Sequence, residues 1–234
     1  MAASDVESIS VSDLLAMSSA TDKQAFQDLW LGYTETFGNK ELRYEISKTY
    51  DTAKPEHILC FAGAEEGIYV AMRVLLRHND HAIIVVPNYQ AAETIPLDIC
   101  EVSGVPLNPE ENWSLDIDRI KNEIRPNTKL ISINFPNNPT GAILGRERFD
   151  ELINICRHSG LYLFSDEVYR LMEHDIRLRL PQVGDIYERG LSLNVMSKAY
   201  GLPGLRLGWI MCKDENILQN MERYKHYLSI CNSA

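Results

Sequence analysis

Apolar and polar positions along the chain alternate between two patterns. Short, nearly unbroken apolar runs stand at residues 57–62 (HILCFA), 81–86 (HAIIVV), 129–135 (KLISINF), 161–164 (LYLF), 191–196 (LSLNVM) and 207–212 (LGWIMC), with a shorter one at 101–107. Runs of this length with no polar face predict strands covered on both sides. Between them the apolar positions change period. Ile68, Ala71, Met72, Leu75 and Leu76 recur at i, i+3, i+4, i+7 and i+8, and Phe149, Leu152, Ile153 and Cys156 repeat that spacing, which is one face of a helix. Buried strands alternating with amphipathic helices predict an α/β fold: a mostly parallel sheet of about seven strands, sandwiched by helices. Two helix-like pieces and a loop precede residue 57, and one helix-like piece comes after Lys213. The chain carries no internal repeat, low-complexity tract or linker.

In such sheets ligands bind beyond the carboxyl ends of the strands. The residues just after the apolar runs are therefore the candidate chemistry. They are Gly63-Ala64-Glu65-Glu66-Gly67, Pro87-Asn88-Tyr89-Gln90, Asn137-Asn138-Pro139-Thr140-Gly141, Ser165-Asp166-Glu167-Val168-Tyr169-Arg170 and Ser197-Lys198-Ala199-Tyr200-Gly201. Burial of a lysine at the end of an apolar strand disfavours its charge, as an amine nucleophile requires; taken alone, such a lysine more often snorkels to water. Asp166 can serve a ligand, cap the next helix or pair with Arg170. The glycine turn before Ile68 offers free N–H groups to an anion. It lacks the GxxxxGK[ST] and GxGxxG patterns of nucleotide loops, and neither HExxH nor GxSxG occurs in the chain. Taken together, these groups suit a phosphorylated aldehyde with a basic ring nitrogen.

Composition narrows the partners. With 234 residues, 23 basic against 33 acidic side chains and a net charge of −10, the chain has no excess of cations for a nucleic-acid backbone. It is 45% hydrophobic, too apolar for a disordered tail, yet no run nears the ~20 residues of a membrane span. Cys60, Cys100, Cys156, Cys212 and Cys231 are odd in number and widely spaced, unlike a disulfide framework or a zinc ribbon. Asp5, Glu7 and Asp13 stand where a secretion signal would be basic and then apolar. The expectation is a cytoplasmic protein with idle thiols, no metal, no nucleic-acid partner and no membrane. His78 and His81 form an HxxH without a carboxylate or thiol companion and are expected at the surface. Glu110-Glu111 is expected in a solvated loop.

Three segments carry a resemblance. Asn138-Pro139-Thr140-Gly141, Ser165-Asp166-Glu167-Val168-Tyr169 and the run from Ser197-Lys198-Ala199-Tyr200-Gly201 through Leu202-Pro203-Gly204-Leu205-Arg206-Leu207-Gly208 resemble, in order, the signature segments of the class I/II aminotransferases. These are pyridoxal-phosphate enzymes of the aspartate aminotransferase fold (fold type I). The resemblance implies that Lys198 forms a Schiff base with pyridoxal 5'-phosphate and then shuttles the substrate's α-proton. It implies that Asp166 keeps the pyridine nitrogen protonated, that Asn138 and Tyr169 bond the ring hydroxyl oxygen, and that Tyr89 stacks on the ring. Gly63, Ala64, Glu65, Ser197 and Arg206 would cradle the phosphate. Tyr33, in Tyr33-x4-Gly38-x3-Leu42-Arg43, resembles the tyrosine that reaches the phosphate of a neighbouring subunit, which implies a homodimer with shared sites.

The implied activity moves an amino group between an amino acid and a 2-oxo acid. The same residues would serve elimination or cyclisation on this fold, and a catalytically incompetent cofactor-binding fragment is a further alternative. Val195 stands where the family usually has a second phosphate-binding serine, which would weaken the cofactor roughly tenfold. The expected organisation is an N-terminal helical segment and dimer-contact loop at 1–54 and a cofactor-binding large domain at 55–213. Residues 214–234 would begin a helix leading to a small C-terminal domain, and the chain looks cut short before that domain and its carboxylate-binding arginine.

Overall fold

The computed structural model describes residues 4–233. Its strands are β1 (Ile58–Phe61), β2 (His81–Val86), β3 (Glu101–Pro106), β4 (Thr128–Asn134), β5 (Tyr162–Asp166), β6 (Gly190–Val195) and β7 (Gly208–Cys212). They form one seven-stranded sheet in the order β1-β7-β6-β5-β4-β2-β3. β2 pairs parallel with β3 and β4, β4 with β5 and β5 with β6, whereas β7 runs antiparallel to both β6 and β1. The sheet is thus mostly parallel, as its apolar runs imply. The carboxyl ends of β1, β2, β4, β5 and β6 all open on one edge, and the reversed β7 begins there.

The helices are α1 (Val11–Met17), α2 (Ala20–Gln27), α3 (Lys40–Ser47), α4 (Ala64–Leu75), α5 (Gln90–Leu97), α6 (Ile117–Glu123), α7 (Arg146–Ser159), α8 (Val183–Ile186) and α9 (Glu215–His226), of which α4, α5 and α9 cover one face of the sheet and α6, α7 and α8 the other. Successive strand residues point to opposite sides, so each strand feeds two cores. Ala82 and Ile84 pack with Ile68, Ala71, Met72 and Leu75 of α4 and with Leu218 and Met221 of α9. Ile83 and Val85 face the other side, against Ile120 of α6 and Phe149, Leu152, Ile153 and Cys156 of α7. The residues spaced at helical period are the buried stripes of α4 and α7. Each fully buried Leu, Ile or Phe contributes roughly 1.5–3 kcal/mol.

Two expectations need correction. The segment before β1 holds three α-helices, not two. α1 and α2 bury no residue and are defined by their N-caps: Ser10 accepts from the Asp13 N–H, and Ser19 forms a reciprocal capping box with Asp22. Hydrophobic period could not have marked them. The second correction concerns His81. His78 is exposed as expected, but His81 is completely buried at the start of β2. Its Nδ1 lies 2.8 Å from Thr128 Oγ1 and its Nε2 lies 3.0 Å from Ser103 Oγ. The Ser103 hydroxyl donates to Glu123 Oε2, so the neutral ring donates from Nε2 and accepts at Nδ1. Its partners come from neighbouring strands, so no local spacing announces the burial. Glu110-Glu111 is exposed, as expected.

Burial holds the His81 imidazole below its usual pKa, with Arg125 adding to that and Glu101 and Glu123 opposing it. A depressed histidine lets the unfolded chain bind more protons, so its contribution is present above about pH 6.5 and is lost as pH falls. His81→Asn removes this titration. The difference in unfolding free energy between wild type and variant should shrink from about pH 7 to about pH 5 in denaturant titrations. A difference independent of pH would contradict the assignment.

Candidate active site

The carboxyl edge closes around a cavity of about 320 Å³ lined by Ala64, Glu65, Tyr89, Asn138, Asp166, Tyr169, Ser197, Lys198 and Arg206, among others. These nine are all residues singled out in the sequence, from five separate strand ends. Two other candidates stand apart. Gly63 lies just behind the wall as the N-cap of α4. Tyr33 is not brought to this cavity: it is 80% exposed and borders a separate groove with Leu29, Trp30, Leu205 and Leu207.

At one end of the cavity β1 turns into α4. The Gly63 N–H donates to the Phe61 carbonyl at 2.8 Å, and the Ala62 N–H donates to Glu66 Oε2 at 2.6 Å. Gly63 takes φ +93°, a region that only glycine enters at little cost. A Cβ there would stand 2.5 Å from Arg206 Nη2. No side chain caps α4, so its first N–H groups are left open at the positive end of the helix dipole, where Ala64 and Glu65 line the cavity. Arg206 arrives from the loop before β7, braced by a 3.0 Å bond from its Nη1 to the Pro203 carbonyl. Backbone donors, a guanidinium and the Ser197 hydroxyl line this end, which is chemistry suited to a dianion.

The middle of the cavity belongs to β4 and β5. Asn134 and Asp166 are register partners at the ends of these strands. Asp166 is 3% exposed, and its Oδ1 accepts from the Val168 N–H at 3.1 Å. Burial pushes its carboxyl up to about 7, against the lowering effects of that bond and of Lys198. Asn134 escaped notice in the sequence because it lies inside a largely apolar run. Its Nδ2 donates to the Asp166 carbonyl, and its Oδ1 accepts from the Asn138 N–H at 2.7 Å. A lone buried amide at a strand end was the available signal. Glu167 was also passed over. Its Oε1 accepts from the Val183 N–H and the Ser192 hydroxyl, both at 2.9 Å, which pins the turn carrying Tyr169 to α8 and β6. Burial pushes its carboxyl up to about 7 as well.

Lys198 is half-buried, three residues beyond β6. Its Nζ donates to the Ser4 carbonyl at 3.0 Å and the Ser4 hydroxyl at 3.1 Å, and lies 5.6 Å from the centre of the Tyr169 ring. Ser4 and Asp5 therefore form part of the wall, which nothing in their sequence foretold. Tyr89 presents its ring on the same cavity; burial and the neighbouring Glu65 carboxylate raise its hydroxyl pKa. Val195, buried at the end of β6, offers methyl groups where a hydroxyl would have added a donor.

The carboxyl edge of this α/β sheet unites a lysine amine, a buried carboxyl and a set of anion-binding donors, chemistry suited to an organic phosphate. The chain belongs to the aminotransferase class I and II family, whose model matches residues 11–234. It is 30% identical over 212 residues to the aspartate aminotransferase of Pyrococcus horikoshii, a match covering 88% of this chain and 54% of that protein. It is 29% identical over 190 residues to an arginine–pyruvate transaminase of Pseudomonas aeruginosa, covering 76% and 47% of the two. The structure of a PLP-dependent aminotransferase from Streptococcus suis superposes with a TM-score of 0.91 at 32% identity, over 98% of this chain and 62% of that one. The chain spans about half the length of the curated relatives it matches.

A carboxyl raised by burial stabilises the fold fully below its unfolded pKa near 4, and that contribution fades as pH rises through about 7. Asp166→Asn removes the penalty. In the cofactor-free protein at about pH 8 the variant should be more stable than wild type, by on the order of 1 kcal/mol or more, with no gain at about pH 4. Equal destabilisation at both pH values in thermal unfolding would contradict the assignment.

Proposed function

We propose that this chain forms the pyridoxal-phosphate-binding large domain of an aminotransferase acting on an amino acid and a 2-oxo acid. The observation that carries this reading is the convergence of Lys198, Asp166 and the Gly63–Arg206 cradle on one cavity. The residues present fit the cofactor. A Cβ at Gly63 would obstruct the cradle, and the Asp166 carboxyl is buried facing a space that a protonated ring nitrogen would complement. The names of the Pyrococcus and Streptococcus relatives support the same activity.

When bound, pyridoxal phosphate supplies an aldehyde for amine exchange and a ring that accepts the electron pair released at the substrate's α-carbon. The protein's groups divide the remaining work. The N–H groups of Ala64 and Glu65, the Ser197 hydroxyl and the Arg206 guanidinium would hold the phosphate. Tyr89 would cover the ring face, and Asn138 and Tyr169 would donate to its hydroxyl oxygen. Asp166, ionised beside a cationic ring nitrogen, would keep that nitrogen protonated. Lys198 would serve as the base that takes the proton from the substrate's α-carbon and returns it to the acceptor carbon. Ser4 holds the amine by two hydrogen bonds, so a carbonyl reaching Lys198 displaces it.

A homodimer is part of the proposal. Trp30, Leu31 and Tyr33 are exposed in a row beside Leu205, an apolar surface that a second copy would cover. The proposed organisation assigns residues 1–54 to that contact, 55–213 to the cofactor domain and 214–234 to a connection towards a small domain. A cytoplasmic location is proposed on the five free thiols. Among the described residues no helix is long and apolar enough to cross a membrane.

Adding pyridoxal phosphate to the purified chain should produce a visible absorbance band that is removed by reduction with borohydride into a stable adduct. Lys198→Ala should show neither band nor adduct by mass spectrometry. Identical spectra for the two proteins would refute Lys198 as the cofactor's lysine.

A further inference from the structure

Lys225 is a buried cation outside the described cavity. It lies in the last turn of α9, a helix otherwise rich in exposed polar residues, yet its side chain is completely buried. Burial holds its pKa below the usual lysine value. No carboxylate lies within ion-pair distance of it among the described residues. Its ammonium donates instead to the Thr36 carbonyl and, at 2.9 Å, to Asn232 Oδ1. An ammonium taken out of water with only neutral acceptors is costly, so its bonds must be well formed to keep it there.

The second half of the arrangement is the amide it holds. After α9 the chain reverses, with the N–H groups of Leu228, Ser229 and Ile230 all directed to the Lys225 carbonyl, and this brings Asn232 back against the sheet. With its oxygen on the ammonium, Asn232 must present its NH₂ the other way. That group donates to the Phe61 carbonyl at 2.8 Å. The same carbonyl accepts from the Gly63 N–H in the tight turn that opens α4. Asn232 therefore fixes the peptide plane on which the Gly63 turn is built, and Lys225 polarises its amide, which strengthens that donor. A further bond from the Thr34 hydroxyl to the Asn232 carbonyl, at 2.9 Å, holds the amide's backbone to the segment beside Tyr33.

We propose that Lys225 and Asn232 are positioning residues for the phosphate cradle: the Lys225–Asn232–Phe61 chain sets the direction of the first N–H groups of α4. This rests on the cofactor reading above. The consequence is specific to the phosphate. Loosening the chain weakens whatever the cradle holds and leaves contacts with Lys198, Asp166 and Tyr89 as they were.

The test compares binding of pyridoxal phosphate with binding of pyridoxal, which lacks the phosphate, by absorbance or fluorescence titration of the full chain. Asn232→Asp is nearly isosteric and keeps an acceptor for Lys225, but it turns an oxygen towards the Phe61 carbonyl. Lys225→Met removes the ammonium. Thr34→Val removes only the bond bracing the Asn232 backbone, and it keeps the proposal testable if a buried variant fails to fold. In wild type the phosphate should improve affinity strongly. That ratio should fall roughly five- to tenfold in Asn232→Asp and Lys225→Met, and less in Thr34→Val, with pyridoxal affinity unchanged. A role confined to stability would lower the unfolding temperature and leave the ratio of the folded protein intact, which overturns the proposal. Absence of binding of both compounds in wild type would instead overturn the cofactor reading and the clasp with it. Binding in wild type with an unchanged ratio in every folded variant would overturn the clasp alone.

Discussion

The burial of one carboxyl group, Asp166 at the tip of β5, is the constraint on which the rest of the site depends. A carboxyl at 3% exposure is costly to ionise in an apolar sheet, and its pKa moves up to about 7 accordingly. The surrounding structure keeps it in place. The Val168 N–H bonds the side chain, Asn134 bonds its backbone carbonyl from the neighbouring strand, and Glu167 anchors the next turn. A group held this firmly against its own solvation preference is stabilised by a cationic partner arriving in the cavity. In the proposed function that partner is the protonated ring nitrogen of the cofactor.

The opposite end of the cavity has the complementary character. The uncapped start of α4, the glycine at φ +93° and the Arg206 guanidinium concentrate positive potential there. The Glu66 carboxylate is turned away from it, bonded to the Ala62 N–H behind the turn. A ligand that is anionic at one end and cationic at the other satisfies both ends at once. Lys198 lies between them with its amine on Ser4. The parallel register of β4, β5 and β6 makes this possible, because it ends β4 and β5 level, with β6 two residues longer, and lets each contribute a side chain to a common wall.

How much of the molecule was legible in its sequence depends on which interactions are local. The strands were readable because runs such as HAIIVV are continuous and short, and β2 occupies residues 81–86 as expected. The site was readable because a parallel sheet gathers the residues just beyond each run at one edge. The direction of β7 was not, since an apolar pentapeptide has the same pattern in either sense. His81, Asn134 and Lys225 were missed for a shared reason: each is a polar side chain with at least one partner contributed by a distant segment. Lys225 in particular sits in a sequence, ENILQNMERYKH, that reads as a solvated helix face. Ser4 was invisible in the same way, because the acidic N-terminal stretch gave no hint that it packs against Lys198.

The decisive measurement is a crystal structure of the chain grown with pyridoxal phosphate. The expected result is a covalent link from Lys198 Nζ to the cofactor, the phosphate on the N–H groups of Ala64 and Glu65 beside Arg206, and the ring nitrogen against Asp166, with Ser4 displaced from the lysine. A cofactor bound elsewhere, or a Lys198 still bonded to Ser4 at full occupancy of the cofactor, would contradict it.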